Sequence, residues 1–366
     1  MNERVAGLSA VLQTTGLGHL VNRARRREAD LQGQVALVTG ASRGLGFLLA
    51  RDFARQGCKI VICARDEVEL GRARQDLERE GAEVLAVHCD VTNQAEVEAT
   101  VRAATERFGR VDILVNNAGI IQVGPIDNMT LRDFKDAMDT EFWGLLYATF
   151  AVLPGMRERG AGRIVNITSV GGKVSVPHLL PYASAKFAAE GFTEGLRSEL
   201  SREGVTDTTI VPGLMRTGSP LNALFKGRHD QEYAWFTLGD SLAGVSMDAE
   251  RAAASIVQAT RRGEAERILS LPAQVLAAVH GLFPGLTADL LGVVNALILP
   301  PSGEGESAMK NVRGMELQDH VQSPLYHALL TWTLSAARRF NQYGGRPVAY
   351  DDARPQTPRG TRGRRR

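Results

Sequence analysis

Cysteine is scarce in this chain of 366 residues, which has only Cys58, Cys63 and Cys89. An odd count with no Cys-x-x-Cys or Cys/His cluster excludes a disulfide framework and a zinc site of ordinary spacing, so no metal is expected. Each cysteine lies in or beside a hydrophobic segment, where a free thiol acts as a small apolar filler, and a reduced, cytoplasmic compartment is the expectation. Charge of one sign is also scarce, with a formal net charge of +2. The basic excess sits at Arg23 to Arg27 and Arg354 to Arg366, leaving a nearly neutral body without the aromatic-interleaved basic stripe of a nucleic-acid binder. Long hydrophobic runs are missing as well. The apolar stretch Leu271 to Pro301 is interrupted by Pro272, His280, Pro284 and Asp289, short of the ~20 residues that span a membrane. Packing on the domain, as a lid or dimer surface, is expected there, with a membrane interface as the alternative. Val5 to Val21 is broken by Gly16 and Gly18 and precedes the arginines, the reverse of a secretory signal. Its helical rhythm predicts an amphipathic extension over residues 1–32.

What is present is an ordinary core-forming composition, 44% hydrophobic and 23% charged. From Gln34 to about Ser270, short β-rich runs alternate with longer helical patterns. The strand candidates are Val35 to Thr39, Lys59 to Ala64, Glu83 to His88, Asp112 to Asn116, Arg163 to Thr168, Val205 to Val211 and Glu266 to Ser270. Each gap is long enough for a crossover helix, which predicts an α/β fold over 33–270: a doubly wound, parallel, seven-stranded sheet. Helical extensions flank it. Residues 271–301 form an apolar helical extension, 302–352 a linker followed by a terminal helix with Leu325, Leu329, Trp332, Ala336 and Phe340 on one face, and 353–366 a disordered basic tail.

The first strand runs into Thr39-Gly40-Ala41-Ser42-Arg43-Gly44-Leu45-Gly46, with a helical pattern beginning near Gly46. Glycines between a strand and a helix let a pyrophosphate approach the helix N-terminus, so Gly40, Ser42, Arg43, Gly44, Leu45 and Gly46 are candidate cofactor contacts. The second strand ends Ile62-Cys63-Ala64-Arg65. Where an NAD site places a carboxylate for the ribose, Ala64 offers none, while Arg65 and Arg43 suit a 2′-phosphate, which favours NADP over NAD.

Tyr182 and Lys186 lie four apart at the start of a helical pattern, hence on one helix face. An ammonium ~4 Å from a phenol, at an effective dielectric of ~20, supplies roughly 4 kcal/mol, enough to bring a pKa near 10 down to about 7. Ser169, after the fifth strand, can donate to the same substrate oxygen.

On these residues the chain resembles the short-chain dehydrogenase/reductase family over roughly residues 33–270, in the branch with the Thr-Gly-x-x-x-Gly-x-Gly turn and the Tyr-x-x-x-Lys pair. The resemblance implies hydride transfer between a nicotinamide and a carbonyl or alcohol, with Tyr182 as acid/base, Lys186 holding the nicotinamide ribose and lowering the tyrosine pKa, and Ser169 orienting the substrate oxygen. It also implies cofactor contacts at Asp90 and Val91, at Asn117, Ala118 and Gly119, at Pro212, Gly213 and Thr217, and at Tyr182 and Lys186 themselves. A homodimer or homotetramer is implied too. One position departs from the pattern: Glu141 stands where the family has a catalytic asparagine. A carboxylate there either sustains proton relay to Lys186 or pairs with its ammonium.

After Pro212-Gly213, residues Leu221, Leu224, Phe225, Tyr233, Trp235, Phe236 and Leu238 predict an apolar substrate pocket, or else a core or interface. The alternative to an oxidoreductase is an NADP-binding scaffold or sensor with weak turnover, motivated by Glu141. A sugar-nucleotide epimerase does not fit the spacing of Gly40, Gly44 and Gly46.

Overall fold

The computed structural model describes residues 28–241, 246–318 and 339–342. The expected helix over 1–32 lies almost wholly outside these residues; the basic tail and most of the terminal helix are outside them too. Seven parallel strands form one sheet: β1 (Val35–Thr39), β2 (Lys59–Ala64), β3 (Val84–His88), β4 (Ile113–Asn116), β5 (Gly162–Ile167), β6 (Val205–Val211) and β7 (Glu266–Ile268). Their spatial order is β7-β6-β5-β4-β1-β2-β3. The order reverses at β1, and in such sheets ligands bind at the carboxyl ends of the strands beside that reversal.

Period-two alternation within the strands feeds both faces. Ala36 and Val38 join one core cluster and Val35 and Leu37 the other, as do Ile60 and Ile62 against Val61 and Cys63. The first cluster is completed by α1 (Gly44–Arg55) and α2 (Glu67–Arg79), the second by α3 (Gln94–Phe108). All three cysteines are free and buried. Burial pushes the Cys58 thiol up to about 12, which makes it an inert filler.

Beyond β4 the chain forms α4 (Leu131–Met138), a five-residue π-helical turn (Asp139–Trp143) and α5 (Gly144–Arg159). Next come α6 (Leu180–Glu199), α7 (His229–Ser241) and α8 (Ala249–Arg262). Thr130 and Asp133 build a capping box that starts α4, and Asp133 also holds Lys226 in a buried ion pair at 2.6 Å.

The apolar stretch after β7 is a helical hairpin, α9 (Leu271–Leu282) and α10 (Pro284–Leu297). Its large side chains face outward: Leu282 is 74% and Leu297 79% exposed. Among the described residues no helix is long and apolar enough to cross a membrane. Residues 302–318, at the start of the segment expected as a linker and terminal helix, lie against the domain. Gly303 and Asn128 exchange two hydrogen bonds of 2.9 Å, and Val312–Arg313 pairs antiparallel with Leu224–Phe225, which runs parallel to Gln122–Val123. Composition alone concealed this, because the segment is held by strand pairing and side-chain-to-backbone bonds and not by an apolar stripe.

Candidate active site

The glycine turn is built for close approach. Gly40 and Gly44 adopt φ of 63° and 59°, which side-chained residues rarely adopt. A Cβ on Gly46 would lie 2.4 Å from both the Gly40 carbonyl and the Asn117 amide nitrogen. Helix α1 starts at Gly44, two residues before the expected place, with no acidic residue in its first turn and no side-chain cap. That N-terminus is therefore electrostatically suited to an anion, and the turn fits a dinucleotide pyrophosphate.

Asn117 holds the turn together. Its side chain donates to the carbonyls of Thr39 (2.9 Å) and Gly40 (3.1 Å), while the Thr39 hydroxyl accepts from the backbone of Asn117 and Ala118. Asp90, Val91 and Asn117 to Gly119 thus gather at the carboxyl ends of β3 and β4, with Asp90 Oδ1 accepting from the Thr92 backbone and hydroxyl.

Arg65 is exposed at the end of β2. Arg43, expected to suit a 2′-phosphate, meets the buried Glu69 carboxylate with its guanidinium at 2.8 Å, and the Ser42 hydroxyl donates to the same carboxylate at 3.2 Å. A third guanidinium converges here. Burial, then the charges of Arg43 and Arg65, hold Arg313 below the usual arginine value. No local pattern marked Arg313, which is far away in sequence.

On the other side of the reversal, Ser169 caps a 3₁₀ turn and accepts from Gly171 N at 3.0 Å. Gly171 leaves room for the Tyr182 ring, since a Cβ there would meet Tyr182 Cε1 at 3.2 Å and Ser169 Oγ at 3.4 Å. Tyr182 and Ser169 thus flank Gly171 together, and Tyr182 sits on the same face of α6 as Lys186, whose Nζ is 5.6 Å from the centre of the tyrosine ring. Lys186 Nζ donates to the Ile167 carbonyl at 2.8 Å and lies 2.6 Å from Glu141 Oε2. The other oxygen of Glu141 accepts from Ile120 N at 2.9 Å. Glu141 sits in the π-helical turn, a distortion that often marks functional positions.

Lys186 and Glu141 line a cavity of about 10 Å³ together with Thr39, Ala118 and Ile167; the glycine turn after β1 and Ser169 after β5 lie at the same carboxyl edge of the parallel sheet. The cavity volume is about what one water molecule needs.

The electrostatics correct one expectation. Burial pushes the Tyr182 phenol above its ordinary value; Lys186 and the neighbouring Ser169 hydroxyl pull it down, but Glu141 and Asp240 add to the rise. Helical spacing revealed Lys186 alone among these groups. Burial works against the Lys186 ammonium, yet the Glu141 and Tyr182 charges hold it above the usual lysine value. Burial raises Glu141 despite Lys186, but contacts of 2.6 and 2.9 Å from an ammonium and an amide are those of an ionised carboxylate.

Two groups near the site carried no sequence signal. Asp240 on α7 is buried and pushed up to about 8. His178, between Ser169 and Tyr182, adopts φ 65°. Its Nδ1 lies 2.9 Å from both oxygens of the buried Glu232, which also accepts from Trp235 Nε1 at 2.6 Å.

The loop after β6 is anchored by the Pro212 carbonyl, which accepts from Val170 N at 2.7 Å. Gly213 packs against Ser270 and Ala273 at the start of α9, and Thr217 Oγ1 is 2.7 Å from Ser219 Oγ. Of the expected pocket residues, Phe225, Tyr233 and Phe236 form a small core of their own with Val123 and Leu317, and Leu221 is fully buried. Trp235 sits at the edge of that core and Leu238 is exposed. Mutual aromatic packing took those rings inward.

Residues 34–223 match the short chain dehydrogenase family. A putative ketoacyl reductase of Streptomyces coelicolor is 41% identical over 191 residues, which are 52% of this chain and 73% of that protein. An actinorhodin polyketide ketoreductase solved with NADPH superposes with a TM-score of 0.58 at 32% identity, covering 66% of this chain and 97% of that one. A short chain dehydrogenase/reductase from Burkholderia phymatum, solved with NAD, superposes with a TM-score of 0.64 at 26% identity, covering 70% and 96%. With the glycine turn, the Ser169/Tyr182/Lys186 group and these likenesses together, the chain belongs to the short chain dehydrogenase family, nicotinamide-dinucleotide oxidoreductases acting on CH–OH and C=O groups.

Proposed function

We propose that the protein is an NADP-dependent oxidoreductase of an apolar carbonyl or alcohol compound. The observation that carries this reading is that Ser169 and Tyr182 flank Gly171 with Lys186 beside the tyrosine ring, at the carboxyl edge of the parallel sheet where the glycine turn also lies.

The turn Gly40 to Gly46 with α1 would hold the pyrophosphate, Asp90 and Val91 the adenine side, and Asn117 to Gly119, Pro212, Gly213 and Thr217 the nicotinamide side. When bound, the nicotinamide supplies or accepts the hydride. Ser169 donates to the substrate oxygen and fixes its position. Tyr182 Oη gives that oxygen a proton in reduction and takes it back in oxidation. Lys186, kept charged by Glu141, stabilises the phenolate. Arg65, Arg43 and Arg313 favour a 2′-phosphate, which supports NADP over NAD.

An apolar substrate is supported by the apolar residues of the segment after Pro212-Gly213, of which Leu238 on α7 is exposed and Trp235 lies at the edge of its core. The exposed hairpin α9–α10 supports a peripheral contact with a lipid surface where such substrates dissolve. A homodimer or homotetramer in the cytoplasm completes the reading.

NADPH consumption with a panel of apolar ketones and aldehydes tests it, with Tyr182→Phe as control. A general acid contributes about 10²- to 10⁴-fold, so the control is expected to lose at least that much while still binding NADPH. Equal turnover by the variant removes the assignment. The Glu141–Lys186 pair favours a second reading, an NADP-binding scaffold or sensor with weak turnover. It predicts cofactor binding without consumption across the whole panel.

A further inference from the structure

The segment Arg339–Gln342 is seated on the glycine turn. Phe340 is 2% exposed within the core cluster that contains Leu45 and Leu48, and its carbonyl accepts from Gly44 N at 2.8 Å. Arg339 is tied to Glu250 at 3.0 Å. Asn341, at φ 58°, donates from its side chain to the carbonyls of Ser42 (2.7 Å) and Glu69 (3.0 Å). The Gln342 carboxamide is buried, and its Oε1 accepts from Gly218 N at 2.6 Å. Its Nε2 faces Gly44, where an added Cβ would come within 2.9 Å of it.

The segment therefore touches the glycine turn, the start of α2 and the loop carrying Thr217. Those are the walls of the dinucleotide groove if the chain binds NADP as proposed, and the role of the segment rests on that assignment. Phe340 is anchored in the core, so the segment is a fixture of the fold. Gln342 spends its acceptor on Gly218 and turns a neutral N–H donor toward the N-terminus of α1. A donor there adds to the positive end of the helix and suits a phosphate oxygen.

We propose that Phe340–Gln342 form a clasp across the dinucleotide groove, and that the Gln342 carboxamide is a further group that holds the cofactor's phosphates. Gly44 then has a second reason to lack a side chain, because the clasp as well as the phosphates must approach it.

The test uses the full chain, with NADPH and NADH as probes, and measures dissociation constants by fluorescence titration and release by stopped flow. Gln342→Ala is expected to release NADPH about tenfold faster, the loss of one hydrogen bond to a charged group. Gln342→Glu keeps an acceptor for Gly218 N and so keeps the local structure, but places a negative charge against the phosphates. Its affinity is expected to fall by more than that of the alanine variant, and the deficit to shrink at high salt. Gln342→Ala also leaves Gly218 N without its acceptor, so a lower melting temperature without nucleotide is expected for it; a purely structural role predicts affinity losses that follow the melting temperatures in both variants and do not respond to salt, whereas the clasp predicts the larger, salt-sensitive loss in Gln342→Glu. Wild-type affinity in both variants overturns the clasp. Tighter binding overturns it too, since the segment would then obstruct the groove. A wild-type chain that binds neither dinucleotide removes the groove assignment itself, a result distinct from the first two.

Discussion

Glu141 Oε2 and Lys186 Nζ form a buried ion pair at 2.6 Å, with that Nζ 5.6 Å from the centre of the Tyr182 ring. The ammonium that lowers a phenol's pKa is thus shared with a carboxylate that raises it, and the phenol ends above its ordinary value. Breaking such a pair exposes whichever charge remains.

Replacing Glu141 with Asn removes a negative charge that raises Tyr182 and leaves the Lys186 charge that lowers it. The limb of the pH–rate profile that reports the tyrosine is expected to move to lower pH. Profiles of wild type and variant that superimpose remove Glu141 from proton transfer.

Arg43 is bound to Glu69, so its charge is partly neutralised before any 2′-phosphate arrives. Glu69→Gln releases that guanidinium, and the ratio of kcat/KM for NADPH over NADH is expected to rise by up to about tenfold. A ratio that stays level or falls counts against Arg43 as a phosphate ligand.

Asn117 satisfies two carbonyls of the glycine turn. Asn117→Ala leaves them without that donor, and a loss of about 1–3 kcal/mol in urea unfolding is expected, with weaker dinucleotide binding. Unchanged stability shows that the turn holds its shape without this residue.

Asp240 keeps its proton in the folded chain up to about pH 8, against an ordinary value of 3.8. Between those values the folded state binds more protons than the unfolded one, so stability falls as pH rises through this window. Asp240→Asn is expected to flatten the dependence of melting temperature on pH from 4 to 8 and to be the more stable protein at pH 9. Parallel curves for the two proteins exclude this titration.

The sheet was legible because its signals are local. Alternating apolar runs such as Lys59–Ala64 and Val205–Val211 match their strands at both ends, and the glycine turn lies between β1 and α1 as its pattern requires. Tyr182 and Lys186 were legible through helical spacing, Ser169 through its place after a strand. Other features depend on residues far apart in sequence. The pairing of Arg43 with Glu69 and the approach of Arg313 come from packing that no spacing encodes. Burial of Tyr182 near Asp240 reversed the direction of a pKa shift expected from its nearest charged neighbour alone. Pro301 to Ser307 read as a linker because Gly, Glu and Ser dominate there; the bond from Gly303 N to Asn128 and the pairing of Val312–Arg313 just beyond depend on partners far away in sequence.

The three-stranded ribbon of Gln122–Val123, Leu224–Phe225 and Val312–Arg313 sets an order of events during synthesis. A ribosome delivers every strand of the main sheet before residue 270, so the Rossmann layers can assemble while translation is still running. Leu224–Phe225 must wait nearly ninety residues longer for its antiparallel neighbour, and Gly44 nearly three hundred for the carbonyl of Phe340. The contacts that Phe340 to Gln342 make on the glycine turn are therefore among the last in the nascent chain to close, long after the strands they lean on have been delivered.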